Sequence, residues 1–383
     1  MKKILITGGA GFIGSVIVQR LYESGMWDIY VLDSMSEQIH GEKWEQSYLY
    51  QTIKDKCTFV KASVTDLQAV IEAIEDNEYI IYLAAETGTG QSMYQINQYN
   101  ETNIMGLSNL FQAISLTKKK NIKKIILSSS RSVYGEGKYE CENCGVIYPD
   151  NRDIDKMLKG DFGFYCPHCN RQLELVATTE DSEIKPASLY AYTKYAQEMM
   201  IKTMCPAMGI DYTIFRFQNV YGVGQSLKNP YTGILSVFST LLLANKPVNI
   251  FEDGYESRDF VNVKDIASGV IAALDNEDSN SQIINLGSGV DTSVIEIAEL
   301  LKKKYGSSSE IKITGDFRIG DIAHNRADIS KARKILGFNP HISLEVGLEE
   351  FCQWVKRQDT DNSKYEQSLY EMEQAGMFIR NEE

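Results

Sequence analysis

The sequence predicts an α/β fold: a doubly wound parallel sheet with a smaller α/β domain and a cysteine-clipped insertion. Three observations predict it. Short β-rich runs alternate with helical patterns, glycines at 8, 11 and 14 separate the first run from the first helix, and two Cys-x-x-Cys pairs punctuate one long connection. Strands that alternate with helices need crossovers, and crossovers cover both faces of a mostly parallel sheet.

In chain order the strand-like runs are 4–7, 29–33, 57–60, 79–83, 125–128, 212–216 and 283–286. After the first, Ile13, Val16, Ile17 and Leu21 recur at helical spacing and Gly25 ends the pattern, so Asp33 closes a βαβ unit. Beyond 217 the pattern loosens. A strand-like run at 247–251 and helical patterns at 294–304 and 344–356 predict the smaller domain. The expected organisation is a nucleotide-binding domain over 1–216, interrupted by an insertion at 136–180, then a second domain over 217–357 from which 282–286 returns to the sheet. A polar tail follows over 358–383, weakly helical at 365–377. The connection from 135 to 188 is far longer than links usually are, so it must carry its own structure or a function.

A chain of 383 residues, 43% hydrophobic and 24% charged, has length enough for a buried core without disulfides. Its formal charge of −13 argues against a nucleic-acid partner, which needs a basic face. The lysines from Lys118 to Lys124 read as a solvated helix end. No apolar run approaches the roughly 20 residues of a membrane span, and the opening MKKILITGGAGF reaches glycine too early for a signal-peptide core. A cytoplasmic location is therefore expected. There thiols stay reduced, and Cys57, Cys205 and Cys352 lie in apolar surroundings as buried thiols.

Gly8, Gly11 and Gly14, with Phe12 and Ile13 opening the helix, form a Rossmann-type phosphate loop. Such a loop needs a tight turn, close backbone approach to a pyrophosphate at a helix N-terminus, and close helix-on-strand packing. Asp33, ending the second strand, can accept from both ribose hydroxyls and repels a 2′-phosphate, which favours NAD over NADP; a surface turn is the alternative use of such an aspartate. Downstream, Ser130 ends a strand, and Tyr190 and Lys194 stand four apart at the start of a helical stretch, on one face.

Cys141, Cys144, Cys166 and Cys169 supply four thiolates at the paired spacing of a structural zinc site, a zinc-ribbon-like clip with no ligand position left for catalysis. His168, inside the second pair, reads as a loop residue. His40, His324 and His341 stand isolated in the sequence and receive no catalytic role.

Taken together, TGGAGFIG, Asp33, SVTD ending at Asp66, LAA at Leu83, Ala84 and Ala85, Tyr190-x-x-x-Lys194, RFQNVYG, SRDFV and RIGD resemble the extended short-chain dehydrogenase/reductase superfamily, specifically its nucleotide-sugar epimerases and dehydratases. The resemblance spans about 1 to 355 apart from the insertion. It implies that Asp66 contacts adenine, that Leu83, Ala84, Ala85 and Asn103 lie against the cofactor or its strand ends, and that Lys194 holds the nicotinamide ribose. It also implies that Asn219 donates to a diphosphate, and it suggests a homodimer built on helices near 97–118 and 188–208. Dehydratases of the family place an Asp-Glu pair after the catalytic hydroxyl; here Arg131 and Ser132 stand there, which removes the acid and base of a dehydration. The SSSRSVYG pattern is instead similar to that of 4-epimerases, with Ser130 as catalytic serine. The stretches 86–96 and 224–240 resemble the substrate loops of the dTDP-L-rhamnose 4-epimerase subgroup, which also carries an insertion here.

The implied chemistry is an NAD-dependent C4 epimerisation of a nucleoside-diphosphate sugar through a 4-keto intermediate. A free tyrosine, with a pKa near 10, is too weakly acidic for this, so Lys194 and the nicotinamide charge are expected to lower Tyr190. Arg258 and Arg318 suit bidentate diphosphate contacts, with surface salt bridges as the alternative. Thr87, Gln91 and Ser92 are candidates for hexose hydroxyls, with helix capping as the alternative. Other sugar nucleotides, a 4-ketoreductase and a non-catalytic NAD sensor remain open at this point.

Overall fold

All seven runs expected as strands pair into one parallel sheet in a computed structural model that describes residues 1–117, 121–227, 229, 233–358 and 363–381. In chain order the strands are β1 (Lys2–Thr7), β2 (Trp27–Asp33), β3 (Thr58–Lys61), β4 (Tyr79–Tyr82) and β5 (Lys124–Ser130), then β6 (Tyr139–Cys141), β7 (Gly145–Ile147) and β8 (Glu174–Leu175) of the insertion. There follow β9 (Asp211–Phe217), β10 (Asn219–Tyr221), β11 (Val248–Ile250), β12 (Ser257–Asn262), β13 (Gln282–Leu286), β14 (Asp291–Ser293), β15 (Ile311–Ile313), β16 (Phe317–Arg318) and β17 (Phe378–Ile379). The main sheet runs β13-β9-β5-β4-β1-β2-β3, with Ile6 opposite Val31 on one side and Ile81 on the other. The strand order reverses between β1 and β4, and that switch opens a crevice at their carboxyl ends.

Alternation along β1 divides the core. Ile4 and Ile6 pack with Ile17 and Leu21 of the helix Phe12–Ser24, while Leu5 faces Leu107 and Leu110 on the opposite side. That first helix ends at Gly25, whose φ of 67° is the left-handed C-cap glycine favours. A separate core cluster forms beyond β9 from Leu235, Phe238, Ile297, Leu301 and Phe351, and β13 joins the main sheet beside β9. In the insertion β6 is the middle strand of an antiparallel trio, and Tyr139, Phe164 and Leu173 pack there with Ala323.

One expectation needs correction. Lys124 is not a solvated helix end but a buried residue of β5, because its ammonium donates to Ala273 O at 2.7 Å, Ser279 Oγ at 2.8 Å and Asn276 O at 3.0 Å. The helix expected in the tail is present as Ser363–Gln374, and it leads into β17, which pairs antiparallel with β16. Residues 118–120 of the lysine run, 228 and 230–232 of the expected substrate loop, and 359–362 and 382–383 of the tail lie outside the described residues. Among the described residues no helix is long and apolar enough to cross a membrane.

Candidate active site

A cavity of about 460 Å³ lies over the crevice, lined by the glycine loop, the ends of β2, β4 and β5, Tyr190 and Lys194. Its floor has no room for side chains. A Cβ on Gly8, where φ is 71°, would stand 2.8 Å from Ala84 N, and one on Gly14 would stand 2.4 Å from Gly8 O. Phe12, Ile13, Leu83, Ala84 and Ala85 line the same wall. The Asp33 carboxylate accepts from Ala10 N at 3.0 Å and Met35 N at 2.9 Å. Burial pushes its pKa up, and the N–H of Met35 and the nearby His40 pull it back. His40 Nε2 is 4.0 Å from Asp33 Oδ1, and burial holds the imidazole below its ordinary range. Nothing local to either residue announces this pairing, since only tertiary packing brings the two together.

Tyr190 sits at the start of the helix Leu189–Met208, which Ser188 caps by accepting from Ala191 N at 3.2 Å. Lys194 follows one turn later, buried, and donates to Ser128 O at 3.0 Å. Burial lowers its ammonium to about 7. The Ser130 hydroxyl, at the end of β5, accepts from Ser132 N at 3.2 Å and from the Ser132 hydroxyl at 3.0 Å. Burial raises the Tyr190 phenol, while a hydrogen bond with Ser130 and the positive charge of Arg131 lower it. Lys194 was expected to act on the phenol together with the nicotinamide charge; its ammonium donates to the Ser128 carbonyl, and Arg131 is the protein charge that lowers the phenol. Arg131 lines the cavity, its Nη1 is buried without a partner, and burial, reinforced by the charge of Arg258, lowers its guanidinium to about 10. A charged residue directly after the three serines that end β5 was the signal for it.

Several expected contacts lie elsewhere. The Asp66 carboxylate caps a helix, accepting from Gln68 N at 3.0 Å and Ala69 N at 3.2 Å, and is absent from the cavity lining. Asn103 is a latch: it accepts from Glu86 N at 2.8 Å and donates to Thr193 Oγ1 at 2.9 Å, joining the loop after β4 to the Tyr190 helix. Of the three hexose candidates Thr87 lines the cavity. Gln91 is buried against the Tyr99 hydroxyl at 3.2 Å, and Ser92 Oγ accepts from Tyr190 N at 3.0 Å, so both build the loop. Asn219 lines the cavity with its Oδ1 buried and unpartnered, as are Nε2 and Oε1 of the neighbouring Gln218. Orphaned buried polar atoms at a cavity wall fit a polar ligand that completes their hydrogen bonds.

Arg258 and Arg318 stand outside the cavity lining. Arg258 is buried, donating to Ala323 O at 2.7 Å with Nη2 3.6 Å from Asp321 Oδ1; Arg318 stacks 5.0 Å from the Phe251 ring. Burial alone would raise the Asp321 carboxyl, but the charges of Arg258, Arg318, Arg131 and Arg152 hold it below the usual carboxylate range. In the insertion the thiols of Cys141, Cys144, Cys166 and Cys169 lie within 4.8 Å of one another.

With this geometry in place, comparison with known proteins is informative. The family described as "NAD dependent epimerase/dehydratase family" matches residues 4–152 and 167–287. A dTDP-L-rhamnose 4-epimerase of Burkholderia thailandensis is 36% identical over 359 residues, 93% of this chain and 96% of that protein. A UDP-glucuronate 4-epimerase of Thermodesulfobacterium geofontis is 30% identical over 361 residues, 93% of this chain and 97% of that protein. Among solved structures, the UDP-glucuronic acid 4-epimerase of Bacillus cereus in complex with UDP-glucuronic acid and NAD superposes with a TM-score of 0.76 at 26% identity, covering 93% of this chain and 99% of that one.

Proposed function

This chain belongs to the NAD dependent epimerase/dehydratase family, and from that premise we propose that it inverts C4 of a nucleoside-diphosphate sugar, interconverting dTDP-L-rhamnose and dTDP-6-deoxy-L-talose. The observation that carries the reading is the Ser130, Arg131 and Tyr190 group at the cavity wall, where a base and hydroxyl are present and no Asp-Glu pair stands beside them. The glycine cradle and Asp33 suit NAD, with Phe12, Ile13 and Leu83 to Ala85 along its length. Held there, NAD would supply the acceptance and return of hydride at C4.

The chain's own residues do the remaining work. Tyr190, as phenolate, accepts the proton of the 4-hydroxyl and later gives it back to the ketone oxygen; Ser130 holds that same oxygen. The phenolate is favoured by Arg131, whose charge opposes the effect of burial. Lys194 holds a ribose hydroxyl. Inversion follows when the ketone presents its other face before hydride returns, which asks for a loosely held hexose and a firmly held diphosphate. Asn219, Arg258 and Arg318 are read as the firm end and Thr87 as a hexose contact.

Four thiolates 2.3 Å from one ion stand about 3.8 Å apart, and the cysteine cluster is compatible with that, so the insertion is read as a structural zinc clip. Residues 1–216 serve as the cofactor domain and 217–357 as the substrate domain. Exposed Ile96, Met105, Leu116, Tyr192 and Met199 support a homodimer on the helices near 97–118 and 188–208, and the location is read as cytoplasmic.

Product analysis by NMR with dTDP-, UDP-, GDP- and CDP-sugars tests the reading. Interconversion of the dTDP sugars without added cofactor is expected. Turnover of none of them, or one-way consumption of added NAD(P)H as in a ketoreductase, would overturn it. Metal analysis of the native protein should return one zinc per chain, and none would remove the clip.

A further inference from the structure

The insertion reaches well beyond its own small sheet, through one buried side chain. Arg152, between β7 and the short helix Ile154–Met157, has 4% of its side chain exposed. Its guanidinium grips Glu252 with both nitrogens, Nη2 lying 2.8 Å from Oε1 and Nη1 on Oε2. The same Nη2 donates to Asp321 O at 3.1 Å, and Nε stands 3.7 Å from Glu136 Oε1. Glu136, at the first residue of the insertion, accepts from Ala323 N at 2.8 Å. The far end closes the loop, with Thr178 N donating to Arg326 O at 2.8 Å and Asp328 N to Thr178 O at 2.9 Å.

The segment from Asp321 to Ala323 is thus held from behind by the insertion, and it is the segment that orients Arg258. The Arg258 guanidinium donates to Ala323 O at 2.7 Å and faces Asp321 Oδ1 at 3.6 Å. Glu252, the residue Arg152 grips, has a φ of 52°, a left-handed backbone that a non-glycine residue holds only when its surroundings impose it. Arg152, Glu252, Asp321 and Arg258 all stand outside the cavity lining, so the effect on a ligand is carried by Arg258 on its reading as a diphosphate contact.

We infer that the cysteine-clipped insertion sets the affinity of the nucleoside-diphosphate end of the site, with Arg152 as the positioning residue that fixes Asp321 and through it Arg258. The inference rests on the reading of Arg258 and Arg318 as diphosphate anchors. It gives the insertion a task at the active site that a mere staple would not have.

The test uses the full chain purified with its NAD, and measures the Kd of dTDP and UDP by calorimetry, the NAD content, and KM and kcat with the sugar nucleotide. Arg152→Met should raise the dTDP Kd and the KM together by about tenfold or more, because it strands the buried Glu252 and frees Asp321, while NAD content and kcat stay near wild type. Arg152→Lys, which keeps charge but loses the fork, should fall between. Combining Arg152→Met with Glu252→Gln should restore stability and leave the dTDP Kd high. Unchanged dTDP affinity in Arg152→Met overturns the inference, as does loss of NAD and dTDP binding in equal measure. If Arg152→Met does not fold, Arg152→Lys decides: a wild-type dTDP Kd overturns the inference. A wild-type enzyme that turns over no sugar nucleotide but binds dTDP in an Arg152-dependent way defeats the proposed reaction and leaves this inference standing.

Discussion

Replacing Gly14 by alanine isolates what the phosphate loop requires. The added Cβ would stand 2.4 Å from Gly8 O, 2.7 Å from Gly9 Cα and 2.9 Å from Gly9 C, all backbone atoms with no rotamer to yield. Ordinary contact begins near 3.4 Å, so the helix start must move away from the loop by about 1 Å. Gly11→Ala is the internal control, because its Cβ meets a single atom, Gly8 O at 3.1 Å, and a shift of about 0.3 Å relieves it. Overpacking of the first kind costs about 1–3 kcal/mol, which weakens binding by roughly 5- to 150-fold if the loop must be restored to its shape to hold the cofactor. At about 2 °C per kcal/mol for a chain this long, Gly14→Ala should melt several degrees below wild type. NAD released from denatured protein and quantified by chromatography gives occupancy; a thermal melt gives stability. Occupancy should fall in the order wild type, Gly11→Ala, Gly14→Ala. A Gly14→Ala protein with full NAD and an unchanged melt, or a reversed order of the two variants, would refute the steric account.

Tyr190→Phe should lower turnover by at least about a hundredfold and leave NAD bound, as measured by rate and cofactor content; retained turnover would remove Tyr190 as the base. Arg131→Met takes away the charge that lowers the Tyr190 phenol, so the phenol rises and the rising limb of the kcat/KM profile should move to higher pH; a limb that stays in place would assign the charge elsewhere. Burial, reinforced by Arg258 and Arg152, lowers the His324 imidazole to about 4, so the unfolded chain binds the extra proton between about 4 and 6.5 and stability must fall with pH across that window. Between pH 7 and pH 5 the loss is about 2 kcal/mol, and thermal melts of His324→Gln should show a correspondingly flatter pH dependence.

What the sequence made legible follows from where each constraint lies. The strands were readable because both faces of a parallel sheet are buried, so runs such as Tyr79–Tyr82 stay apolar throughout. The glycine loop was readable because its demands fall on neighbours in the chain. Asp66 and Asn103 show that a carboxylate or amide in the right neighbourhood has more than one use: one caps the next helix, the other latches the loop after β4 to Thr193 ninety residues on. Lys124 resembled its charged neighbours, and only the carbonyls of Ala273 and Asn276 make its burial possible. The helix of the tail was readable, but its final strand was not. The partner of β17 is β16, sixty residues earlier, and nothing local in a polar tail announces it.

The arrangement of charge favours an epimerase over a reductase that shares the same catalytic hydroxyls. Beside Tyr190 the cavity wall carries Ser130, whose hydroxyl Ser132 reaches, and Arg131 as the one long side chain among them, so few groups there would grip a hexose. The long cations are concentrated on Asp321, where Arg258 is held at 3.6 Å and Arg318 and Arg131 add their charge. A reductase presents one face of a ketone to hydride and gains from fixing the ring. An epimerase must let the ring turn without losing it, so its binding energy belongs at the diphosphate. On the proposed reading, Arg152 and Glu136 of the insertion stiffen that end alone, and the hexose end is left with room to rotate.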